Sequence, residues 1–311
     1  MGIPNSEVYE GWEQDEVQGS VFGAVGAIRA YLVLTKPRIV ALLAFTGYCA
    51  MILAGHRLPS IWETIIGILG LALCAGGSAA INMWYDQDID AVMKRTRDRP
   101  LPTGQVHSLH VFWFGTSLTL LGTFILMIFA NPLSGLLGFL GAVYYGVVYT
   151  MFLKRRTPQN IVVGGGAGAF PPLVGFATVT GHLSPAAWWL FLLIFLWTPG
   201  HFWALALYKT DDYQKAGVPM MPVVRGARVT KWNMLFYSSL LMLCTGLAPA
   251  VGIRQPVVTA AGLMLTGWFV ISHVFLLTEH ESNGLWAKRT FLTSLLVLPA
   301  LFTFIAISGL M

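Results

Sequence analysis

Three oxygen-bearing side chains recur at four-residue intervals in one polar segment of an otherwise apolar chain. Asn82, Asp86 and Asp90 would lie on one face of a helix, with neighbouring Cβ atoms about 6 Å apart. Two carboxylates this close at the edge of a membrane repel each other unless a cation compensates them. Mg²⁺ takes one or two carboxylates together with phosphate oxygens. This acidic stripe (Asn82, Asp86, Asp90) therefore predicts a catalytic metal–diphosphate site, and the alternative is a solvated helix end.

Basic side chains near the acidic stripe could neutralise a diphosphate. Arg97 and Arg99 follow the stripe, and Lys94 lies on the same face one turn further on. Arginine offers a planar fork for phosphate oxygens, whereas lysine binds as a point charge. Other polar segments add five candidates for diphosphate binding: Lys36, Arg38, Arg155, Arg156 and Lys209. For each base the alternative is a role in membrane topology alone.

A second acidic segment follows a later apolar stretch. It contains Asp211 and Asp212, with Lys209 and Lys215 on either side. We predict that both acids bind a metal ion and that Asp212 is catalytic. Two acidic sites rimmed by bases at one depth would form a diphosphate pocket above an apolar chamber.

The composition predicts that these segments border a membrane domain. Of 311 residues 56% are hydrophobic and 11% are charged, against roughly 25% charged in an average soluble domain. Apolar stretches long enough to cross a membrane as helices occur at 36–56, 61–82, 108–130, 132–153, 161–181, 186–208, 232–252, 257–277 and 289–309. We therefore predict an all-α membrane protein with about nine transmembrane helices around a central cavity.

The polar segments also divide the chain into similar halves. One acidic segment follows the second span and the other follows the sixth, so we predict two four-helix pseudo-repeats plus one helix. Residues 31–311 would form a single transmembrane domain. Residues 1–30 carry five acids and one base, and we predict a mobile acidic N-terminal tail.

The charges predict an orientation. Of the 19 Lys and Arg residues, all except Arg57 and Arg254 fall on the side of the N-terminus. Basic residues are concentrated on the cytoplasmic side of membrane proteins, so the N-terminus is predicted to be cytoplasmic. Every Asp and Glu except Glu63 falls on that side as well. A transporter or channel is disfavoured, because no ionisable residues mark a path to the opposite side.

Several motifs of the chain resemble those of the UbiA-type intramembrane prenyltransferases. The first motif of that superfamily is similar to the acidic stripe and the run Arg97-Asp98-Arg99-Pro100-Leu101-Pro102. Four more segments resemble its haem O synthase branch: Leu34–Arg38, Lys154–Ile161, Thr198–Ala206 and Asp211–Met220. The resemblance covers residues 30–305, with the motifs in the expected order.

This resemblance implies an enzyme that transfers farnesyl from farnesyl diphosphate to a vinyl group of haem b, with hydration and with Mg²⁺ as cofactor. It implies a bacterial cytoplasmic (inner) membrane protein whose active site faces the cytoplasm. The expected partners are haem b, farnesyl diphosphate and the lipid bilayer. Haem A synthase or the oxidase assembly is a further candidate partner, and nucleic acid is not expected.

The haem acceptor draws attention to His201, which lies in an apolar span. An imidazole in that environment is unfavourable without a partner. We predict that His201 either binds haem iron or moves a proton during hydration, and that Trp203 also contacts haem. The alternative is a hydrogen-bonded core histidine.

Two positions depart from the resemblance. Gly200 stands where the branch usually has a second proline, and we expect it to loosen the helix beside His201. The superfamily's second motif is Asp-x-x-x-Asp, but no acid lies four residues from Asp212, so the second metal site is expected to be weaker or built differently. The rival function is a prenyltransferase for an aromatic acid or a quinone precursor, and the His201 and Asp211–Met220 motifs argue against it.

Overall fold

The computed structural model describes residues 23–279 and 284–311, and every regular element in these ranges is helical. In chain order the elements are α1 (Ala24–Leu34), α2 (Pro37–Gly55), α3 (Ile61–Tyr85), α4 (Gln87–Val92), α5 (Ser108–Phe129), α6 (Pro132–Val143) with a π-helical continuation (Tyr144–Leu153), α7 (Asn160–Gly164), α8 (Gly166–Thr180), α9 (Pro185–Tyr208), α10 (Thr210–Lys215), α11 (Met221–Gly246), a 3₁₀ turn (Ala248–Val251), α12 (Pro256–Thr278) and α13 (Leu285–Leu310). The all-α class is confirmed. Of the predicted tail, residues 1–22 lie outside the described residues, and α1 begins before the predicted boundary at residue 31.

Within residues 23–279 and 284–311, eight helical segments are long and apolar enough to cross a membrane. They correspond to eight of the nine predicted spans, with boundaries that differ by a few residues at most. The remaining predicted span, 232–252, corresponds to α11, whose first half is polar and contains Arg225, Arg228 and Lys231. This helix nevertheless packs against α9 and α12 within the bundle. The ninth crossing and the cytoplasmic N-terminus stay predictions.

Helices α3 and α5 approach so closely that glycine is required, and so do helices α2 and α8. A Cβ atom on Gly77 of α3 would lie 2.5 Å from the carbonyl oxygen of Gly115 in α5. A Cβ atom on Gly175 of α8 would lie 2.1 Å from the carbonyl oxygen of Gly47 in α2. Such contacts are typical of membrane bundles, where van der Waals packing holds helices together. They set the positions of the helices that carry the polar residues.

The last helix closes the bundle around a cavity. α13 packs on α2, α9 and α12. Its buried side chains, among them Leu298 and Leu301, share a core cluster with Leu53 of α2 and Leu190 of α9. A central cavity remains, lined by α2, α3, α6, α8, α9 and α13. The predicted arrangement of helices around a cavity is therefore present in the structure.

Both acidic connections contain a short helix of six residues. α4 follows α3, and α10 follows α9. In each half of the chain a long helix is thus followed by a short acidic helix and then by another long helix. This order is consistent with the predicted pseudo-repeats.

Glu63, the acid that stands apart from the others, has a local structural role. It forms a capping box with Ser60 at the start of α3. Its carboxylate also accepts hydrogen bonds of 2.7 and 2.8 Å from Arg57. Glu63 therefore stabilises the N-terminus of α3 by a local capping motif.

Candidate active site

The acidic stripe lies where one helix ends and the next begins. α3 ends at Tyr85, Asp86 occupies the junction, and α4 starts at Gln87. The Asp86 N–H donates to the Asn82 carbonyl at 3.0 Å, and the Asp90 N–H donates to the Asp86 carbonyl at 2.8 Å. These bonds preserve the helical spacing across the junction. Asn82, Asp86 and Asp90 are 4%, 1% and 3% exposed, which excludes a solvated helix end.

Asn82 and Asp86 belong to one hydrogen-bonded network with two lysines. Asn82 Nδ2 donates to Asp86 Oδ2 at 2.7 Å. Lys154 Nζ donates to the same carboxylate oxygen at 2.5 Å. Lys36 Nζ donates to Asn82 Oδ1 at 2.7 Å. The buried charge of Asp86 is therefore paired and hydrogen-bonded, as burial of an ion requires.

Asp90 has its own cation. Arg99 Nη1 donates to Asp90 Oδ2 at 2.5 Å. The Thr96 hydroxyl donates to the backbone carbonyl of Asp90 at 3.0 Å, which ties the loop after α4 back to the helix. Arg99 thus lies at the stripe, while its contact with a diphosphate stays a prediction.

The π-helical continuation of α6 supplies further polar groups. The Thr150 hydroxyl donates to the carbonyl of Tyr145, five residues earlier, at 2.7 Å. The same hydroxyl accepts from Asn82 Nδ2 at 3.1 Å. π-helical turns are wider than α-helical turns and frequently occur at functional sites. The segment ends immediately before Lys154, so the wide turn decides where that side chain points.

Lys36 adopts an unusual backbone conformation. Its φ is 52° and its ψ is 59°, and it directly precedes Pro37. Left-handed backbone is disfavoured for residues with a side chain, and a following proline restricts the backbone further. The hydrogen bonds from Nζ to Asn82 and, at 3.2 Å, to the Tyr145 hydroxyl hold the side chain in place. Desolvation by burial lowers the pKa of Lys36 to about 7, with a further contribution from Arg99.

Arg155 links the buried stripe to an exposed acid. Its Nη1 and Nη2 atoms each donate to the Asp88 carboxylate at 2.7 Å. Nη2 also donates to the Tyr85 carbonyl at 3.0 Å and lies 3.5 Å from Asp86 Oδ1. The hydrogen bonds from Arg155 hold the pKa of Asp88 below its usual range, and they raise the pKa of Arg155. A second positive charge therefore faces Asp86.

The donor set of the stripe suits Mg²⁺ bound together with phosphate. Among the described residues, no three His, Cys, Asp or Glu side chains could form a metal site by themselves. The stripe instead offers two buried carboxylates, Asp86 and Asp90, and the amide oxygen of Asn82. Mg²⁺ commonly completes such a set with phosphate oxygens and waters. The residues therefore fit the expected ion when a phosphorylated substrate is present.

The acidic stripe and the bases bonded to it (Lys36, Lys154, Arg99 and Arg155) form a polar cluster. An apolar chamber of about 540 Å³ adjoins this polar cluster. Lys36, Arg38 and Arg95 are its charged lining residues, and most of the lining is aliphatic, aromatic or glycine. Lys36 also bonds to Asn82, so it belongs to both the chamber and the polar cluster. His201 lines the same chamber. The polar cluster and the apolar chamber therefore meet at the side chain of Lys36.

The helix does not loosen beside His201. α9 continues unbroken through Pro199 and Gly200. Gly200 makes room for the neighbouring helix, because a Cβ atom there would lie 3.0 Å from Nε2 of the buried His273. The expectation of a loosened helix was therefore wrong, and the glycine is explained by tight packing against α12.

The second acidic segment lies in a separate polar cleft of about 960 Å³. Asp211 and Asp212 line this cleft together with Lys94 and Lys209. Arg95 lines both the cleft and the chamber, so the two compartments meet at its side chain. The sequence-predicted residues thus form two neighbouring groups.

Three predicted residues lie outside both compartments and away from the acidic stripe. The Arg97 side chain is 63% exposed and lies 3.9 Å from Asp98. Arg156 is exposed and packs over the ring of Phe152. Trp203 is fully buried in a core cluster, so the structure does not bring it together with His201 at the chamber.

Sequence reasoning missed two bases of the site, Lys154 and Arg95. Lys154 stands beside Arg155 and Arg156, and nothing in a run of three bases shows which one a preceding π-helical turn directs inward. Helical spacing from the acidic stripe favours Lys94 over Arg95. α4 ends at Val92, however, so the spacing no longer applies at residue 94. Both omissions come from departures from regular α-helix.

The chain matches known proteins over most of its length. A model of the UbiA prenyltransferase family matches residues 42–306. The protoheme IX farnesyltransferase of Symbiobacterium thermophilum is 49% identical over 275 residues, which cover 88% of this chain and 92% of the relative. The protoheme IX farnesyltransferase of Alkalilimnicola ehrlichii is 47% identical over 250 residues, covering 80% and 82%.

Solved structures share the fold. A digeranylgeranylglyceryl phosphate synthase superposes with a TM-score of 0.74 at 17% identity, covering 91% of this chain and 99% of that one. A UbiA homologue from Archaeoglobus fulgidus bound to GPP and Mg²⁺ gives a TM-score of 0.60 at 19% identity, with coverage of 89% and 99%. Together with the family match and the high identity to the curated relatives, these results show that the chain belongs to the UbiA prenyltransferase family and, within it, to the protoheme IX farnesyltransferases.

Proposed function

We propose that this protein transfers farnesyl from farnesyl diphosphate to a vinyl group of haem b and adds water to the product. The observation that carries the proposal is a buried acidic stripe, with its cations, beside an apolar chamber that contains His201. Such a site can hold the two unlike parts of a prenyl diphosphate in adjoining environments. High identity to enzymes named protoheme IX farnesyltransferase supports haem as the acceptor.

The polar cluster serves the leaving group. The bond between the farnesyl carbon and the diphosphate oxygen breaks, and the electron pair stays on that oxygen. Lys36, Lys154 and Arg99, which bond to the acidic stripe, would donate to the diphosphate, and preorganised donors of this kind stabilise the developing charge. Mg²⁺ bound by Asp86 and Asp90 would supply Lewis-acid stabilisation of the same group.

The polar cleft provides a second charged set beside the first. Asp211 and Asp212 face the same cleft as Lys94 and Lys209. We propose that the two acids share an ion with the diphosphate, since the described residues offer them no third acidic ligand. Arg95, which borders both compartments, would contact the diphosphate between the two sets.

The chamber protects the allylic cation that remains. Its volume of about 540 Å³ is within the roughly 300–1,000 Å³ of small-molecule sites. The rings of Tyr145, Tyr149 and Trp197 line it and can stabilise a cation. A dry interior also keeps water from quenching the cation.

Attack by the vinyl group completes the transfer. The vinyl carbon forms a bond to the farnesyl cation, and positive charge appears on the carbon beside the porphyrin. Water adds at that carbon and loses one proton. We propose that His201 either accepts this proton or binds the haem iron, because it is a histidine that lines the chamber.

We further propose that the site faces the cytoplasm from a bacterial inner membrane. Lys36 at the start of α2, Asp86 after α3 and Lys154 after α6 meet at one side of the bundle. The bases that predict the cytoplasmic side are concentrated in these same connections. Haem A synthase or the oxidase assembly remains the proposed recipient of the product.

A reconstitution assay tests this function. Purified protein in nanodiscs would be incubated with haem b, farnesyl diphosphate and Mg²⁺, and the haem fraction analysed by mass spectrometry. We expect a product heavier than haem b by one farnesyl group and one hydroxyl group, and no product after chelation with EDTA. In parallel, haem b would be replaced by 4-hydroxybenzoate.

The two acceptors separate the candidate functions. Prenylation of 4-hydroxybenzoate without any farnesylated haem would favour the rival prenyltransferase. If folded protein prenylated neither acceptor under conditions that sustain a relative's activity, the proposal would be wrong.

A further inference from the structure

Three side chains hold the imidazole of His201. Its ring stacks on Trp197, with centroids 4.2 Å apart and planes 16° apart. It also stacks on Phe291, with centroids 4.9 Å apart and planes 28° apart. Its Nδ1 atom lies 2.6 Å from Ser294 Oγ. The stacking sets the plane of the imidazole, and Ser294 sets its rotation within that plane.

Both the side chain and the backbone carbonyl of Ser294 form hydrogen bonds. It is fully buried in α13. Its hydroxyl donates to the Phe291 carbonyl at 2.5 Å, and its own carbonyl accepts from Trp197 Nε1 at 3.2 Å. A hydroxyl has one proton to donate. The 2.5 Å distance favours placing that proton on the Phe291 carbonyl, and with the proton there Oγ accepts from His201 Nδ1.

We infer that Ser294 fixes His201 as the Nδ1–H tautomer and thereby presents the lone pair of Nε2 to the chamber. A neutral imidazole carries one N–H and one acceptor nitrogen, so protonation of Nδ1 leaves Nε2 as the acceptor. Nε2 has no hydrogen-bond partner among the described residues, and it is not an enclosed atom, in contrast to Nε2 of His273. Ser294 is thus a positioning residue that acts through His201.

The lone pair of His201 Nε2 determines which groups this nitrogen can bind. An accessible Nε2 acceptor suits an iron centre or a proton released during hydration, and the hydrogen bond at the other nitrogen usually decides which one is used. That use rests on the proposed function, whereas the tautomer does not.

Nitrogen NMR tests the tautomer directly. The protein would be labelled with ¹⁵N-histidine, and the His201 signals would be identified by their loss in His201→Gln. We expect a protonated Nδ1 and an unprotonated Nε2 in the wild type. Ser294→Ala should lose this preference and populate the Nε2–H form, whereas Ser294→Thr keeps the hydroxyl and should keep the wild-type signals.

Ser308→Ala is the matched control. Ser308 is also buried in α13, and its hydroxyl donates to a carbonyl three residues earlier without contacting a histidine. This variant should leave the His201 signals unchanged. An Nε2–H tautomer in the wild type, or an unchanged tautomer in Ser294→Ala, would overturn the inference.

Function is measured separately. Ser294→Ala should slow haem farnesylation by roughly tenfold or more, the size of effect expected from losing an orienting partner, with rescue by Ser294→Thr. If Ser294→Ala kept both the wild-type turnover and the wild-type tautomer of His201, the inference would again be contradicted. If the wild type made no farnesylated haem at all, the proposed function would fail while the NMR result on Ser294 still stood.

Discussion

At the scale of single residues, the site consists of buried acids that are each paired with a base. Asp86 is paired with Lys154, and Asp90 with Arg99. Removing one partner of a buried ion pair leaves an uncompensated charge, which typically costs about 3–5 kcal/mol. Replacing an acid and replacing its base should therefore affect both activity and stability, and matched exposed residues serve as controls.

The carboxylates should be needed for turnover. Asp86→Asn and Asp90→Asn keep the shape of the side chain but remove the charge that is proposed to hold a metal ion, so we expect activity to fall by at least about 100-fold. Haem binding, followed by its absorbance, should survive because the chamber is unchanged. Asp88→Asn is the control, since its side chain is 62% exposed. Near-normal turnover in both stripe variants would refute the metal role.

Lys154 should matter more than its neighbour Arg156. Lys154→Met removes the cation nearest to Asp86, and we expect a loss of turnover together with a destabilisation of about 3 kcal/mol. Arg156→Met removes an exposed charge from the same basic run and should change little. Farnesylation rates and thermal unfolding in nanodiscs would check both. Equal effects of the two substitutions would contradict this assignment of roles.

At the scale of helices, close packing sets where the polar residues lie. Gly175→Ala would force a Cβ atom against the carbonyl oxygen of Gly47. We expect a destabilisation of about 3 kcal/mol or more, because backbone on both sides resists movement. Gly168→Ala in the same helix is the control, since its Cβ atom would meet only Ile194 at 3.9 Å. Thermal unfolding measures both, and a stable Gly175→Ala variant would show that α2 and α8 can separate.

The sequence predicted helices well and departures from regular helix poorly. Hydrophobic length is a direct signal of a span, so the spans flanking the acidic stripe were placed within a few residues. The wide turn before Lys154 and the end of α4 at Val92 depend on packing with other helices. No local pattern encodes such contacts. For the same reason the packing of Gly200 against His273 was not foreseen.

At the scale of the whole molecule, the predicted orientation in the membrane can be checked by cysteine labelling. The native cysteines Cys49, Cys74 and Cys244 are all buried. A single exposed cysteine can therefore be introduced and labelled with little reaction at the native positions. With a cytoplasmic N-terminus, Gln105→Cys should react with a membrane-impermeant maleimide in inverted vesicles only. His182→Cys should react in spheroplasts only. The reverse labelling pattern would invert the topology.

The charge pairs of the stripe have a consequence for the order of events in a catalytic cycle. Lys154 and Arg99 are the counter-ions of Asp86 and Asp90, so the charges of these four side chains balance one another. Such a site has little drive to retain a divalent ion between turnovers. We therefore expect the ion to arrive as a complex with the prenyl diphosphate and to leave with the released diphosphate, which makes the complex, rather than either component alone, the kinetically relevant substrate.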